Sequence, residues 1–308
     1  MFRLLSEAHM TTASSGLAQT VATIRSVELE VTGRCQLSCT HCCTDSGPGS
    51  SPGIMTAQNW LDVITDICEL GIPSVQFIGG EPTLSPHLPS YIDHALRLDL
   101  KVEVYSNLTH VRPGLWSAFT RPGVCLATSY YSDQADQHEQ ITNRPGSHRR
   151  TRANIAEAVR RGIPLRVGIV EVLEGQRVDQ AQEELRSLGV CSIQVDRARK
   201  VGRAAAAAHT IPSTSELCGR CFRQRMSISP DGAVSGCILS RFLVAGNVRE
   251  QRLVDILASR RWQQLADAVP RPRNACPPDD SGDCDPANTP ACDPAYDAFP
   301  FPSMGAAR

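Results

Sequence analysis

Between residues 25 and 197 short β-like runs alternate with helical patterns through six units, and no other feature limits the fold as strongly. The β-like runs cover 26–31, 74–78, 101–105, 123–130, 165–172 and 191–195. Helical spacing of apolar residues marks 56–70, 87–98, 151–161 and 179–188 between them, and Gly71, Gly162 and Gly189 stand as stops. Such alternation implies a parallel sheet covered by helices. Six units fall short of the eight that close a full barrel. The expected fold is therefore α/β, an open partial (β/α)6 TIM-like barrel with its chemistry at the C-terminal ends of the strands.

The texture changes after residue 200. A polyalanine run at 204–208 falls in an expected linker, 201–217. Residues 218–295 hold scattered cysteines, a turn at Pro230-Asp231-Gly232 and an amphipathic helix expected over 253–265. This region reads as a small irregular Cys-rich extension, which needs crosslinks or metal to be ordered. Residues 1–24 form an N-terminal extension read as flexible, and 296–308 a tail.

Charge and compartment narrow the function. The 31 Lys and Arg nearly cancel the 32 Asp and Glu, so no basic field invites nucleic acid. The N-terminus lacks a secretory pattern, and no run approaches the roughly 20 apolar residues of a membrane span. A cytoplasmic protein with no membrane partner is expected. The 13 cysteines are an odd number and cannot all pair within the chain. In a reducing compartment, clustered cysteines more often hold metal. No GxSxG elbow, HExxH pair or P-loop supports hydrolase chemistry.

Cys35, Cys39 and Cys42 follow the first strand with the spacing C-x3-C-x2-C. Thiolates suit iron–sulfur clusters and zinc alike. Three ligands around a cluster leave one iron open for chemistry; a zinc site completed by a distant ligand is the alternative that spacing alone leaves standing. Gly79-Gly80-Glu81-Pro82 comes directly after the second strand. Its glycines allow close backbone approach to a ligand, and Glu81 can pair with an ammonium.

In that order these motifs resemble the radical S-adenosylmethionine (SAM) superfamily, with His41 where members usually carry an aromatic residue before the third cysteine. The resemblance implies a [4Fe–4S] cluster on Cys35, Cys39 and Cys42, chelated by SAM at the open iron. It implies that Gly79, Gly80, Glu81 and Pro82 meet the SAM amino group and that Ser106 and Asn107, ending the third strand, meet the ribose. It places Ser129 and Arg144 on the sugar and carboxylate, and Val170 of the fifth strand against the adenine.

Cys221 to Cys237 reads C-x10-G-x4-C through Gly232, similar to the opening of SPASM and twitch extensions, which carry auxiliary [4Fe–4S] clusters. Cys218, Cys221, Cys237, Cys276, Cys284 and Cys292 are the candidate ligands for one or two such clusters. The spacing of Cys276, Cys284 and Cys292 departs from the full SPASM pattern, so their grouping stays open. Of the remaining thiols, Cys68, Cys125 and Cys191 sit in apolar runs and are expected in the core. Cys43 adjoins the cluster loop, where a hydrogen-donor role is one reading.

The resemblance implies reductive cleavage of SAM to a 5′-deoxyadenosyl radical that abstracts hydrogen from a substrate. Residues 126–172 are similar to actinobacterial maturases of ribosomally made peptides, which implies a precursor peptide as substrate. The alternative is a small-molecule dehydrogenase, epimerase or decarboxylase in antibiotic biosynthesis. About 24 residues precede the first strand. Either a separate leader-peptide-binding protein is a partner, or no leader is required. A flavodoxin or ferredoxin is expected as electron donor.

Overall fold

The computed structural model describes residues 20–271. Residues 1–19 and the tail with Cys276, Cys284 and Cys292 lie outside the described residues. Six parallel strands form the barrel wall: β1 (Ser26–Glu30), β2 (Ser74–Ile78), β3 (Lys101–Tyr105), β4 (Val124–Tyr130), β5 (Leu165–Glu171) and β6 (Ser192–Arg197). They lie side by side in chain order, as right-handed βα crossovers dictate. The expected partial barrel is what the chain forms.

The extension does not stand apart from it. Strand β7 (Arg225–Ile228) pairs parallel to β1, with Val27 opposite Met226 and Leu29 opposite Ile228. Two short antiparallel strands, β8 (Ala233–Ser235) and β9 (Gly246–Asn247), complete one nine-stranded sheet ordered 6-5-4-3-2-1-7-8-9. In this stretch the sequence marks only the Pro230-Asp231-Gly232 turn. The exposed edge of β1 supplies β7 with its partner, because a buried strand cannot leave its N–H and C=O groups unpaired.

The helices are α1 (Ala57–Glu69), α2 (Leu88–Arg97), α3 (Pro113–Phe119), α4 (Ala135–Thr142), α5 (Ser147–Arg160), α6 (Val178–Ser187), α7 (Gly202–Ala207), α8 (Leu253–Ala258) and α9 (Arg260–Ala268). Thr56 caps α1 in a reciprocal box with Asn59, and Gly71, at φ +74°, ends the turn. The helix expected over 253–265 is two: Ser259 is extended (ψ 148°) and its hydroxyl accepts from Trp262 N, starting α9. Helices α3 and α4 carried too little apolar periodicity to be anticipated. The polyalanine linker holds α7.

Each barrel strand has an apolar face toward the helices and a polar face toward the lumen. Val27, Leu29, Val75, Phe77, Val102, Val104, Leu126 and Val167 join the helices in a continuous core. That core runs into the extension, where Phe222 meets Trp262 edge-on at 4.9 Å. The opposite face carries Glu28, Glu30, Gln76, Glu103 and Arg166, all buried. Alternation such as SVELEV ordinarily signals a strand with one wet face. Here both faces are buried, and the polar one lines the barrel interior. Of the single thiols, Cys125 is buried and Cys68 packs partly buried against the core, but Cys191 is exposed, contrary to expectation. It sits in the turn entering β6, after Gly189 (φ +89°), while its neighbour Val190 is buried.

Candidate active site

The loop after β1 crosses the C-terminal end of the barrel and is pinned from several sides. Cys35 N bonds Gly47 O, and Ser38 N and Thr40 N bond the Thr142 and Ile141 carbonyls at the end of α4. The thiols receive their own donors: Leu37 N (3.4 Å) and Asn107 Nδ2 (3.6 Å) point to Cys35 Sγ, and Ser46 N (3.3 Å) to Cys42 Sγ. Burial, with Glu81 and Cys42 nearby, pushes the Cys35 thiol up to about 12. Burial, then Cys42 and Cys35, does the same to Cys39. The thiols lie within electrostatic reach of one another, and loading them with metal must expel protons.

The GGEP segment belongs to the same structure. A Cβ on Gly79 (φ +142°) would come 2.3 Å from Thr32 O, and one on Gly80 would come 2.2 Å from Arg34 O. The glycines thus admit the backbone that leads into Cys35. Gly80 N and Glu81 N close this contact on Thr32 O and Arg34 O at 2.8 Å each. Pro82 opens a short 3-10 turn, Pro82–Leu84, that Glu81 caps.

Glu81 is itself a tie between loops. It is fully buried, and Thr83 N (3.0 Å), Thr83 Oγ1 (2.6 Å) and Ser106 Oγ (2.7 Å) all donate to its Oε1. Asn107 N donates to Oε2 at 2.8 Å. Burial holds its carboxyl above the usual range against these donors. A carboxylate so occupied ties the β2 loop to the β3 loop, and Oε2 accepts only one of these bonds. Ser106 is likewise buried and donates to Glu81. Asn107 bridges Cys35 Sγ to Gln36 Nε2 and Thr109. Among the described residues the Gly79 and Gly80 carbonyls accept no hydrogen bond outside regular elements, so backbone groups remain to meet a ligand there.

The other candidates are spread around the rim. Ser129 ends β4 half-buried, its hydroxyl 3.0 Å from Tyr105 Oη. Val170 is half-buried on β5, opposite Asp196 of β6. Arg144 is exposed after α4 and makes no side-chain hydrogen bond or ion pair among the described residues. His41 packs edge-on against Tyr131 at 5.2 Å, and Tyr131 packs on His138. Burial and Arg203 lower His41 to about 4, and its Nδ1 is buried without a partner.

Beneath the rim the lumen is charged. Arg166 on β5 forms a two-pronged pair with Glu103 on β3, 2.8 Å on each prong, and lies over the Tyr105 ring at 5.2 Å. Gln76 also bonds Glu103. Burial works against the Glu103 charge, but Arg166 and Gln76 hold its carboxyl below the usual range. Glu30 goes the other way. Burial raises it to about 7, although Arg241 Nε lies 3.1 Å from its Oε1, too poorly aligned for a hydrogen bond. Arg241 also donates to Thr44 O (3.0 Å) in the cysteine loop. No spacing rule could have found Arg166 or Arg241, because each acts across the sheet.

In the extension the Cys221 thiol lies close to those of Cys218 and Cys237. The neighbouring Cys221 thiol and Arg225's charge pull Cys218 well down, while Cys221 is driven up. Glu28 on β1 lies beside this group: it is close to Cys218 and accepts from Ile238 N at 2.5 Å. Three of the six expected auxiliary ligands therefore meet at the β1–β7 seam.

Among the described residues no His, Cys, Asp or Glu group is placed around a single metal ion. Tetrahedral zinc, with Zn–S of about 2.3 Å, would crowd its sulfurs within about 4 Å. The Cys35, Cys39 and Cys42 thiols suit a larger guest: three soft donors, N–H groups aimed at two of the sulfurs, and an orphaned His41 nitrogen beside them. A [4Fe–4S] cluster with one open iron fits that donor set.

A half-open parallel barrel with three thiols on the loop after its first strand defines a class of cluster-bearing enzymes. Residues 29–187 match the Radical SAM superfamily model and 218–285 the SPASM iron-sulfur cluster-binding domain. The chain belongs to the radical SAM superfamily, whose cofactors are a [4Fe–4S] cluster and SAM. The PqqA peptide cyclase of Bradyrhizobium diazoefficiens is 26% identical over 155 residues, 50% of this chain and 40% of that protein. The GTP 3′,8-cyclase of Parasynechococcus marenigrum is 38% identical over 79 residues, 26% of this chain and 22% of that protein. The chain spans less than half the length of either relative. Streptococcus suis SuiB bound to S-adenosylmethionine superimposes with a TM-score of 0.65 at 15% identity, covering 82% of this chain and 68% of SuiB. At that identity the likeness is one of fold. No helix among the described residues is long and apolar enough to cross a membrane.

Proposed function

We propose that this chain abstracts hydrogen from a peptide and so matures a ribosomally made precursor. In this reading Cys35, Cys39 and Cys42 hold the catalytic cluster, and the Gly79–Gly80 backbone, Ser129, Arg144 and Val170 receive SAM. Bound SAM supplies a 5′-deoxyadenosyl radical when the cluster is reduced. Cys218, Cys221 and Cys237, with a ligand from Cys276, Cys284 or Cys292, hold an auxiliary cluster.

The observation that carries the reading is the shared β1–β7 seam. It sets the second cysteine group against Glu28, on the strand that ends at the first, so that a substrate in the lumen lies between two redox centres. Such a pair suits oxidative crosslinking, in which an electron must leave the substrate radical. Support comes from the peptide named in the Bradyrhizobium relative and from SuiB, which also crystallised with its precursor peptide SuiA.

The GTP 3′,8-cyclase match, 38% identical over 79 residues, supports small-molecule chemistry as the second reading. Co-expression with peptides encoded beside the gene, followed by mass spectrometry, separates the two. A mass loss of hydrogens on such a peptide, with 5′-deoxyadenosine formed under dithionite, is expected. 5′-Deoxyadenosine formation with every neighbouring peptide unchanged would favour a small molecule.

A further inference from the structure

The segment joining the barrel to the extension reads as a linker, yet it grips the cysteine loop. Arg203 Nη1 donates to Cys39 O (2.5 Å), Nη2 to Ser46 O (2.7 Å) and Nε to the Asp45 carboxylate (3.1 Å). Its backbone N donates to Cys42 O at 2.9 Å. Gly202, at φ +52°, seats this grip: a Cβ there would come 2.4 Å from the carbonyl oxygens of both Cys42 and Cys43. The loop from Cys39 to Ser46 contains no helix or strand. Its carbonyls therefore need partners from elsewhere, and one planar fork serves three acceptors at once.

We propose that Arg203 is a positioning residue for the catalytic cluster: it fixes the Cys39–Ser46 loop and holds one positive charge beside the iron, favouring the reduced state. The proposal rests on the assignment of that cluster to Cys35, Cys39 and Cys42. The charge stands against the loop itself: the guanidinium bonds the Cys39 carbonyl, and the Asp45 carboxylate it also meets is largely exposed to solvent. Each cluster reduction adds a negative charge, and a fixed cation in a half-buried site stabilises it. Arg203 is about a quarter exposed, so screening trims the effect without removing it. The two parts of the role separate by substitution. Lysine keeps the charge but lacks the fork, and glutamine keeps neither.

The test uses the full chain reconstituted anaerobically, without substrate. Midpoint potentials come from EPR-monitored titration, and loop grip from the rate of iron loss to a chelator. In Arg203→Gln the reduction equilibrium of the SAM-binding cluster should shift about tenfold toward the oxidised form, about 59 mV for one electron. Iron loss should also be about tenfold faster. Arg203→Lys should restore the potential to within about threefold yet still lose iron faster. Arg160→Gln removes an equal charge from the exposed end of α5 and should change neither quantity. Wild-type potential and wild-type iron loss in Arg203→Gln would overturn the proposal. If that variant does not fold, wild-type iron loss in Arg203→Lys does so instead. Equal iron in the wild type and a Cys35/Cys39/Cys42 triple Ala variant would overturn it through its premise, a distinguishable result.

Discussion

The two cysteine groups flank one strand and are built differently. At Cys35, Cys39 and Cys42 two of the thiols, Cys35 and Cys42, have nitrogen donors of their own. The loop is anchored by α4, the Glu81 tie, Arg203 and Arg241. At Cys218, Cys221 and Cys237 the thiols lie close together beside Glu28. The first loop is fixed by partners from several other segments; the second group sits at the seam of two paired strands. A site that must admit SAM at an open iron needs its geometry set beforehand, whereas a fully ligated centre can take its geometry from the cluster.

The largest effect expected follows from that contrast. Replacing Cys35, Cys39 and Cys42 with Ala should abolish 5′-deoxyadenosine formation and remove about four irons. Cys221→Ala with Cys237→Ala should lose auxiliary iron, abolish peptide modification and leave SAM cleavage measurable. Iron analysis with product chromatography checks both; equal loss of SAM cleavage in the two sets would erase the distinction.

Next in size is the lumen pair. Arg166→Met leaves Glu103 charged and buried, and should cost about 3–5 kcal/mol in a denaturant titration. Adding Glu103→Leu should recover most of that loss. Gly80→Ala comes third. Its Cβ meets Arg34 O at 2.2 Å, so the GGEP strap must shift off the cysteine loop, at about 1–3 kcal/mol. SAM binding, read by calorimetry, should fall with it.

The smallest effect is a pH dependence. Glu30 is raised from 4.5 to about 7 in the folded chain, so the native state binds its proton more tightly than the unfolded one. Its stabilising contribution is whole below about pH 4.5 and is lost as pH climbs to about 7. Glu30→Gln should flatten that slope in the thermal midpoint between those values. An unchanged slope would place the titration elsewhere.

Much of the site was legible before any coordinates. C-x3-C-x2-C and GGEP fell at the ends of β1 and β2 because strand periodicity marked those ends. What spacing could not show is direction. Spacing marks Glu81 as a partner for an ammonium but does not show that four hydrogen bonds also make it a tie between two loops. It does not show that Gly79 and Gly80 also admit the backbone of the Cys35 loop. Cys191 looked like core and is exposed. Each of these readings depended on a neighbour more than twenty residues away, or on which side of a turn the chain leaves.

By itself the sequence determined the βα alternation, the open barrel and the position of the cysteine loop, since these follow from local periodicity and spacing. Only the tertiary structure decided that the polar face of the strands is an enclosed, charged lumen rather than a wet surface. It alone seated β7 on β1, bringing the second cysteine group to the wall of that lumen, and placed Arg203 on the cysteine loop. The physical reason is common to all three. Burial, unpaired strand edges and unsatisfied loop carbonyls are demands that a segment states locally, but the residues that meet them are chosen by how the whole chain closes.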